Sequence, residues 1–221
     1  MSKFPAVLGL LLVIAGPVSA APTTMPPLAD YLMPRDSEIA LARSAAPPSI
    51  SADATVFVLG PHGYEIAARG TNGFSCIVER GWEAGFSDPV FWNAKVRGPI
   101  CFNAAAVKTV LPAHLERAEW VLAGLSVDAM RARARASALA NTAPAPGAMC
   151  FMQSKDGYLS DTGKHWHPHL MFYLPAAGAS SWGANLKGSP VMGGPDESDP
   201  VVTYMIPVPK WSDGTPDMAA H

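Results

Sequence analysis

The chain has 221 residues, of which 49% are hydrophobic and 15% charged, so it is long and apolar enough to bury a full core and is not a disordered polymer. Its formal net charge of -2 excludes nucleic acid as a natural partner, because phosphate recognition needs a basic footprint.

Residues 1–20, "MSKFPAVLGLLLVIAGPVSA", place one cation at Lys3 before an apolar run from Phe4 to Ile14. Val18-Ser19-Ala20 then supplies the small residues a signal peptidase needs. This pattern predicts a secretory signal peptide and a mature protein that begins near Ala21 and is secreted or periplasmic. Loss of Lys3 leaves 15 basic residues against 18 acidic ones, a net charge of about -3. No later stretch approaches the roughly 18 apolar residues of a transmembrane helix. No cysteine follows the cleavage position, which argues against a lipid anchor there.

Residues 21–35 are proline-rich and read as irregular. Asp36 is placed to cap a helix through "SEIALARSAA" that Pro47-Pro48 stops. Three short β-like runs follow: Thr55 to Leu59, Tyr64 to Arg69 and Phe74 to Glu79. Gly60-Pro61 and Asn72-Gly73 among them are turn signals, so an antiparallel meander is expected. From Gly81 to Pro99 the large aromatics Trp82, Phe86, Phe91 and Trp92 sit among glycines and prolines. The pattern then turns helical: Thr109 can cap, Pro112 tolerates the first turn, and Leu111, Leu115, Ala118 and Leu122 share a face. Gly124 closes this helix, and Ser126 with Asp128 opens another that runs to about Ala140. The arginines at 131, 133 and 135 belong to a solvated helix surface.

Residues 141–147 read as a linker before two strands, "AMCFMQS" and "HLMFYLP". The irregular stretch from Pro175 to Pro200 is longer than connections in compact domains usually are. Val201 to Pro209 reads as a last strand, and residues 211–221 as a fraying tail. The sum is a single α+β domain over residues 36–210, with a mainly antiparallel sheet and two or three covering helices.

Three cysteines remain for an oxidising compartment: Cys76, Cys101 and Cys150. Cys76 and Cys101 lie in strand-like contexts on either side of a turn-rich loop and are the preferred pair. Such a bridge contributes roughly 3.5 kcal/mol in the chain-entropy picture. Cys150 is then a buried free thiol.

Half of the six histidines fall in "HWHPH" as His165, His167 and His169. On an extended strand Leu170, Phe172 and Leu174 share one face, expected to be the core, and the histidines share the other with Met171 and Tyr173. Positions two apart are separated by about 6.6 Å, so two imidazoles can meet on one ion. Candidates for a further ligand are Asp161, Asp156, His62 and His114. Imidazole with carboxylate suits zinc, and imidazole with Met171 suits copper. The alternative is a polar strand edge that binds backbone. Trp82, Phe91 and Trp92 are likewise open to two readings: a stacking platform for a flat ligand, or core aromatics of a loop closed by the disulfide. "GASSWG" lacks the second glycine of a nucleophile elbow.

The stretches "SEIALARSAAP", "DATVFVL", "GTNGFSCIVERGW" and "PHLMFYLP" resemble a group of uncharacterised bacterial secreted proteins that share "TNGF-C" and "PHLMFY" segments. The resemblance covers most of the mature chain. It implies a bacterial origin and export, and it supplies no activity and no catalytic residues. The expected function is a noncatalytic exported domain that binds a small molecule or protein. The alternative is a metal-binding protein or metal-dependent hydrolase, with zinc or copper, at the histidine segment.

Overall fold

Short β-branched runs, an alanine-rich helix pair and a second set of strands build one eight-stranded sheet with helices on both faces. The computed structural model describes residues 24–140, 143–160, 167–175, 181–196 and 199–218. The strands are β1 (Thr55–Gly60), β2 (Gly63–Ala68), β3 (Ser75–Glu79), β4 (Gly98–Phe102), β5 (Met149–Met152), β6 (His169–Pro175), β7 (Met192–Asp196) and β8 (Asp199–Pro207). Their order is β2-β1-β3-β4-β5-β6-β8-β7, and only the β1/β3 pair is parallel. The α+β class with a mainly antiparallel sheet is therefore what the chain adopts.

The expected meander breaks at that parallel pair. β1 and β2 form the hairpin, but the chain then crosses beneath the start of β1 and returns as β3 on its other side. The crossing is held by Thr71 N–H to the Asp53 carbonyl at 2.9 Å and Thr55 N–H to the Phe74 carbonyl at 2.9 Å. Gly70 makes it possible, since a Cβ there would lie 2.1 Å from the Asp53 carbonyl oxygen.

On one face of the sheet lie α1 (Arg35–Arg43) and α2 (Pro48–Ser51), whose neighbourhood packs Ala42, Ala45 and Ala46 against Val56, Cys76, Val78 and Cys101. Pro34, not Asp36, occupies the N-cap of α1, and Asp36 lies in the first turn where its charge suits the helix dipole. Pro48 begins α2, a position where its missing N–H is harmless. The Cys76–Cys101 disulfide joins residues directly opposite each other on β3 and β4. Cys150 is free and buried.

On the other face lie α3 (Ala104–Thr109), α4 (Leu111–Leu122) and α5 (Val127–Ala140). Asn103 caps α3 by accepting from Ala106 N–H at 2.9 Å. Thr109, expected as the cap of α4, instead donates its hydroxyl to the Ala105 carbonyl, and Val110 takes the cap position. α4 buries Leu111, Ala118, Trp120 and Val121, and Gly124 ends it in the left-handed conformation at φ 74°. Ser126 caps α5 through Ala129 N–H at 3.2 Å.

β6 corrects the expectation for its two faces. Leu170, Phe172 and Leu174 are half-buried, whereas Tyr173 and His169 on the opposite parity are buried. The strand sits between two covered faces, so both parities pack. Phe172 and Leu174 lie on the side of Trp182, Val202 and Tyr204, and Tyr173 lies with Phe102 and Cys150 beneath the α3–α4 region. The tail also departs from expectation: Trp211 and Asp217 are buried, and Ser212 N–H donates to the Gln153 carbonyl at 2.9 Å.

Candidate functional site

The histidine segment divides in the structure. His165 and Asp161 lie outside the described residues. His167 places Nδ1 2.6 Å from Oδ2 of Asp217, a buried carboxylate of the tail. His169 is only 5% exposed and sets Nδ1 2.7 Å from the carbonyl oxygen of His167. Burial pushes the pKa of His169 below its ordinary value. Both imidazoles are thus engaged with protein, one to the tail and one to backbone. Among the described residues no group of three or more His, Cys, Asp or Glu side chains gathers as a metal-ligand set.

The aromatic loop is core. Trp82, Phe91 and Trp92 are 0, 3 and 8% exposed. They pack with Tyr31, Phe86, Trp120 and Met130, which leaves them no face for a stacked ligand. Cys150 sets its thiol 3.3 Å from the Tyr173 hydroxyl. Burial pushes both groups up, which holds them as neutral thiol and phenol.

Titratable groups converge elsewhere, at the end of β3. Glu79 closes that strand, Glu83 follows on a 3₁₀ turn (Gly81–Glu83), and α4 brings His114 and Arg117 over them. His114 Nδ1 lies 3.1 Å from Glu79 Oε1 and 3.0 Å from Glu83 Oε2. Its N–H is aimed at neither oxygen, so the pairing is electrostatic, without a directed hydrogen bond. Arg117 stands 3.9 Å from Glu83 Oε2 and donates to the Glu83 carbonyl at 3.2 Å, with its guanidinium 4.2 Å above the Phe86 ring. The His114 ring also packs on Phe102 at 5.1 Å.

These groups are close to solvent without being bathed in it: 8% of the Glu83 side chain and 17% of the His114 side chain are exposed. Burial opposes the charge of His114, but Glu83 and Glu79 more than offset it and the pKa is pushed up to about 10. Glu79 is also raised, because burial outweighs the imidazole beside it. The trio therefore holds a proton well into the alkaline range. Gly98, opposite Glu79 on β4, lets the Glu79 side chain lie close against that strand, since a Cβ there would meet it at 3.3 Å. Such a cluster of perturbed titratable groups makes this place the candidate functional site.

In the sequence His114 stands out only as a distant candidate ligand for the histidine segment, and Glu79 and Glu83 do not stand out at all. The available signal was the pair of glutamates four apart in "ERGWE", at a strand end where the chain turns.

No protein-family model matches the chain, and no curated protein or solved structure matches it significantly.

Proposed function

We propose that the chain is an exported, noncatalytic binding domain that takes a small solute at the Glu79–Glu83–His114 cluster. One observation carries this reading. Glu83 Oε1 is sealed from solvent and accepts no hydrogen bond among the described residues. A buried acceptor left unmet costs about 1–3 kcal/mol, and buried polar groups in native proteins are rarely left so. The Glu83 side chain is 8% exposed, so a rotation of its carboxylate presents this oxygen to a ligand hydroxyl or ammonium hydrogen, and that bond removes the cost.

The test is calorimetric titration of the untagged mature chain with a panel of polyols, hexoses and primary amines. One class binds and is recovered unchanged, and Glu83→Gln weakens it at least tenfold. The same change at the exposed Glu65 of β2 leaves binding alone. Equal affinity in the Glu83→Gln protein, or no binding across the panel, overturns the reading.

A further inference from the structure

Two polar atoms of the Glu79–Glu83–His114 cluster are unmet among the described residues, and they are of opposite kinds. Glu83 Oε1 is an acceptor that no donor reaches, and His114 Nδ1 is a donor whose hydrogen is aimed at no acceptor. The carboxylate oxygens at 3.0 and 3.1 Å hold the proton on Nδ1, so this nitrogen donates and does not accept. The unmet pair is also close. Oε1 shares its carboxyl carbon with Oε2, which lies 3.0 Å from Nδ1, so one hydroxyl oxygen at ordinary hydrogen-bond lengths spans both atoms. The His114 and Glu79 side chains are 17 and 13% exposed, which keeps the cluster within reach of solvent.

We infer that the solute taken at this cluster is a neutral hydroxyl compound, a polyol or sugar in chemical class, whose hydroxyl donates to Glu83 Oε1 and accepts from His114 Nδ1–H. This rests on the cluster being the binding site and goes further by excluding the amines. A hydroxyl is donor and acceptor at once, whereas an ammonium group has donors and no acceptor. An ammonium at Oε1 leaves the Nδ1 hydrogen unmet, and an ether oxygen at Nδ1 leaves Oε1 unmet. Either one keeps a buried polar group without its bond. Charge points the same way. The His114 imidazolium and the Arg117 guanidinium, 3.0 and 3.9 Å from Glu83 Oε2, already set two cations against that carboxylate. Glu79, raised by burial, adds less negative charge than an ordinary glutamate. A third cation here is repelled and also gives up its hydration. Arg117 is held by the Glu83 carbonyl and the Phe86 ring, so it does not turn aside to make room for one.

The experiment is an NMR titration of the isotope-labelled, untagged mature chain at neutral pH with four probes. Glycerol and glucose both donate and accept, putrescine only donates, and dimethoxyethane only accepts. Glycerol or glucose binds at least tenfold more tightly than putrescine or dimethoxyethane and shifts the ring nitrogen resonances of His114. Glu83→Gln and His114→Phe each weaken that probe at least tenfold. Should His114→Phe fail to fold, the ranking of the four probes on the parent chain decides the matter by itself. Putrescine bound as tightly as the hydroxyl probes, and lost in Glu83→Gln, overturns the hydroxyl assignment and leaves the site in place. Dimethoxyethane bound as tightly, or a folded His114→Phe protein that binds undiminished, does the same. Binding by none of the four, or binding indifferent to Glu83→Gln, overturns the assignment together with the site.

Discussion

Glu38 and Arg80 form a salt bridge at 2.7 Å with both side chains fully buried. Arg80 also donates Nε–H to the Tyr31 carbonyl at 3.0 Å, and Glu38 accepts from Leu59 N–H at 3.1 Å. A buried pair of this kind offsets its own desolvation with little surplus, so its role is to set how α1, β1 and β3 meet. Neither residue announces this in the sequence, because the partners are 42 positions apart. His114 is different, since its charge is conditional. Its folded pKa is raised from 6.5 to about 10, so its contribution to stability is fully present below about pH 6.5 and is lost as pH rises through 10. The raised Glu79 has the same sign, from its ordinary range upward. The urea midpoint of the parent therefore falls between pH 7 and 10, by stability on the order of a few kcal/mol. His114→Gln flattens that slope, and a parent slope that persists in the variant refutes the assignment.

Among elements, the facing strands β3 and β4 show how far a short sequence pattern reaches. Two apolar runs, each with a cysteine, flank a loop dense in turn signals, and the loop brings them into antiparallel register with Cys76 opposite Cys101. Replacing both cysteines with alanine costs roughly 2–5 kcal/mol, read as a lower melting temperature. Cys150→Ser leaves the loop closure intact and does not reproduce a loss of that origin. β6 and β7 were less legible for separate reasons. For β6 the alternation was visible, but the inference that one parity is core assumes a sheet covered on one side, and this sheet is covered on both. β7 runs through "MGGPD", where glycine and proline argue against a strand. It pairs with β8 nonetheless, and the Asn185 side chain braces Gly193 by donating to its carbonyl at 2.7 Å and accepting from its N–H at 3.2 Å. The Glu79–Glu83–His114 cluster was illegible because its members come from β3, a 3₁₀ turn and α4, and no local pattern records that α4 folds back over the end of β3.

At the scale of the whole molecule the sheet is the middle of three layers, and the ends of the chain complete it. Tyr31, from the proline-rich segment, is buried and donates its hydroxyl to the Trp92 carbonyl at 3.0 Å, which ties that segment to the aromatic loop. The residues after β8 do the same at the opposite end. Trp211 is buried and its N–H donates to the Thr215 carbonyl at 2.9 Å, forming a turn that presents Ser212 N–H to Gln153. Gln153 Nε2 in turn reaches the Lys210 carbonyl at 3.1 Å, and Asp217 meets His167. Composition suggested a fraying tail because "KWSDGTPDM" has no periodicity, yet one large indole and a few backbone bonds suffice to dock it. Trp211→Ala removes that anchor and costs about 3–5 kcal/mol, the range for emptying a buried tryptophan site. The same variant exposes the bonds after Lys210 to protease while the cores under α1 and α4 stay protected, so limited proteolysis clips the tail first. A variant whose tail resists protease as the parent's does, at undiminished stability, shows that the tail is held by its hydrogen bonds alone.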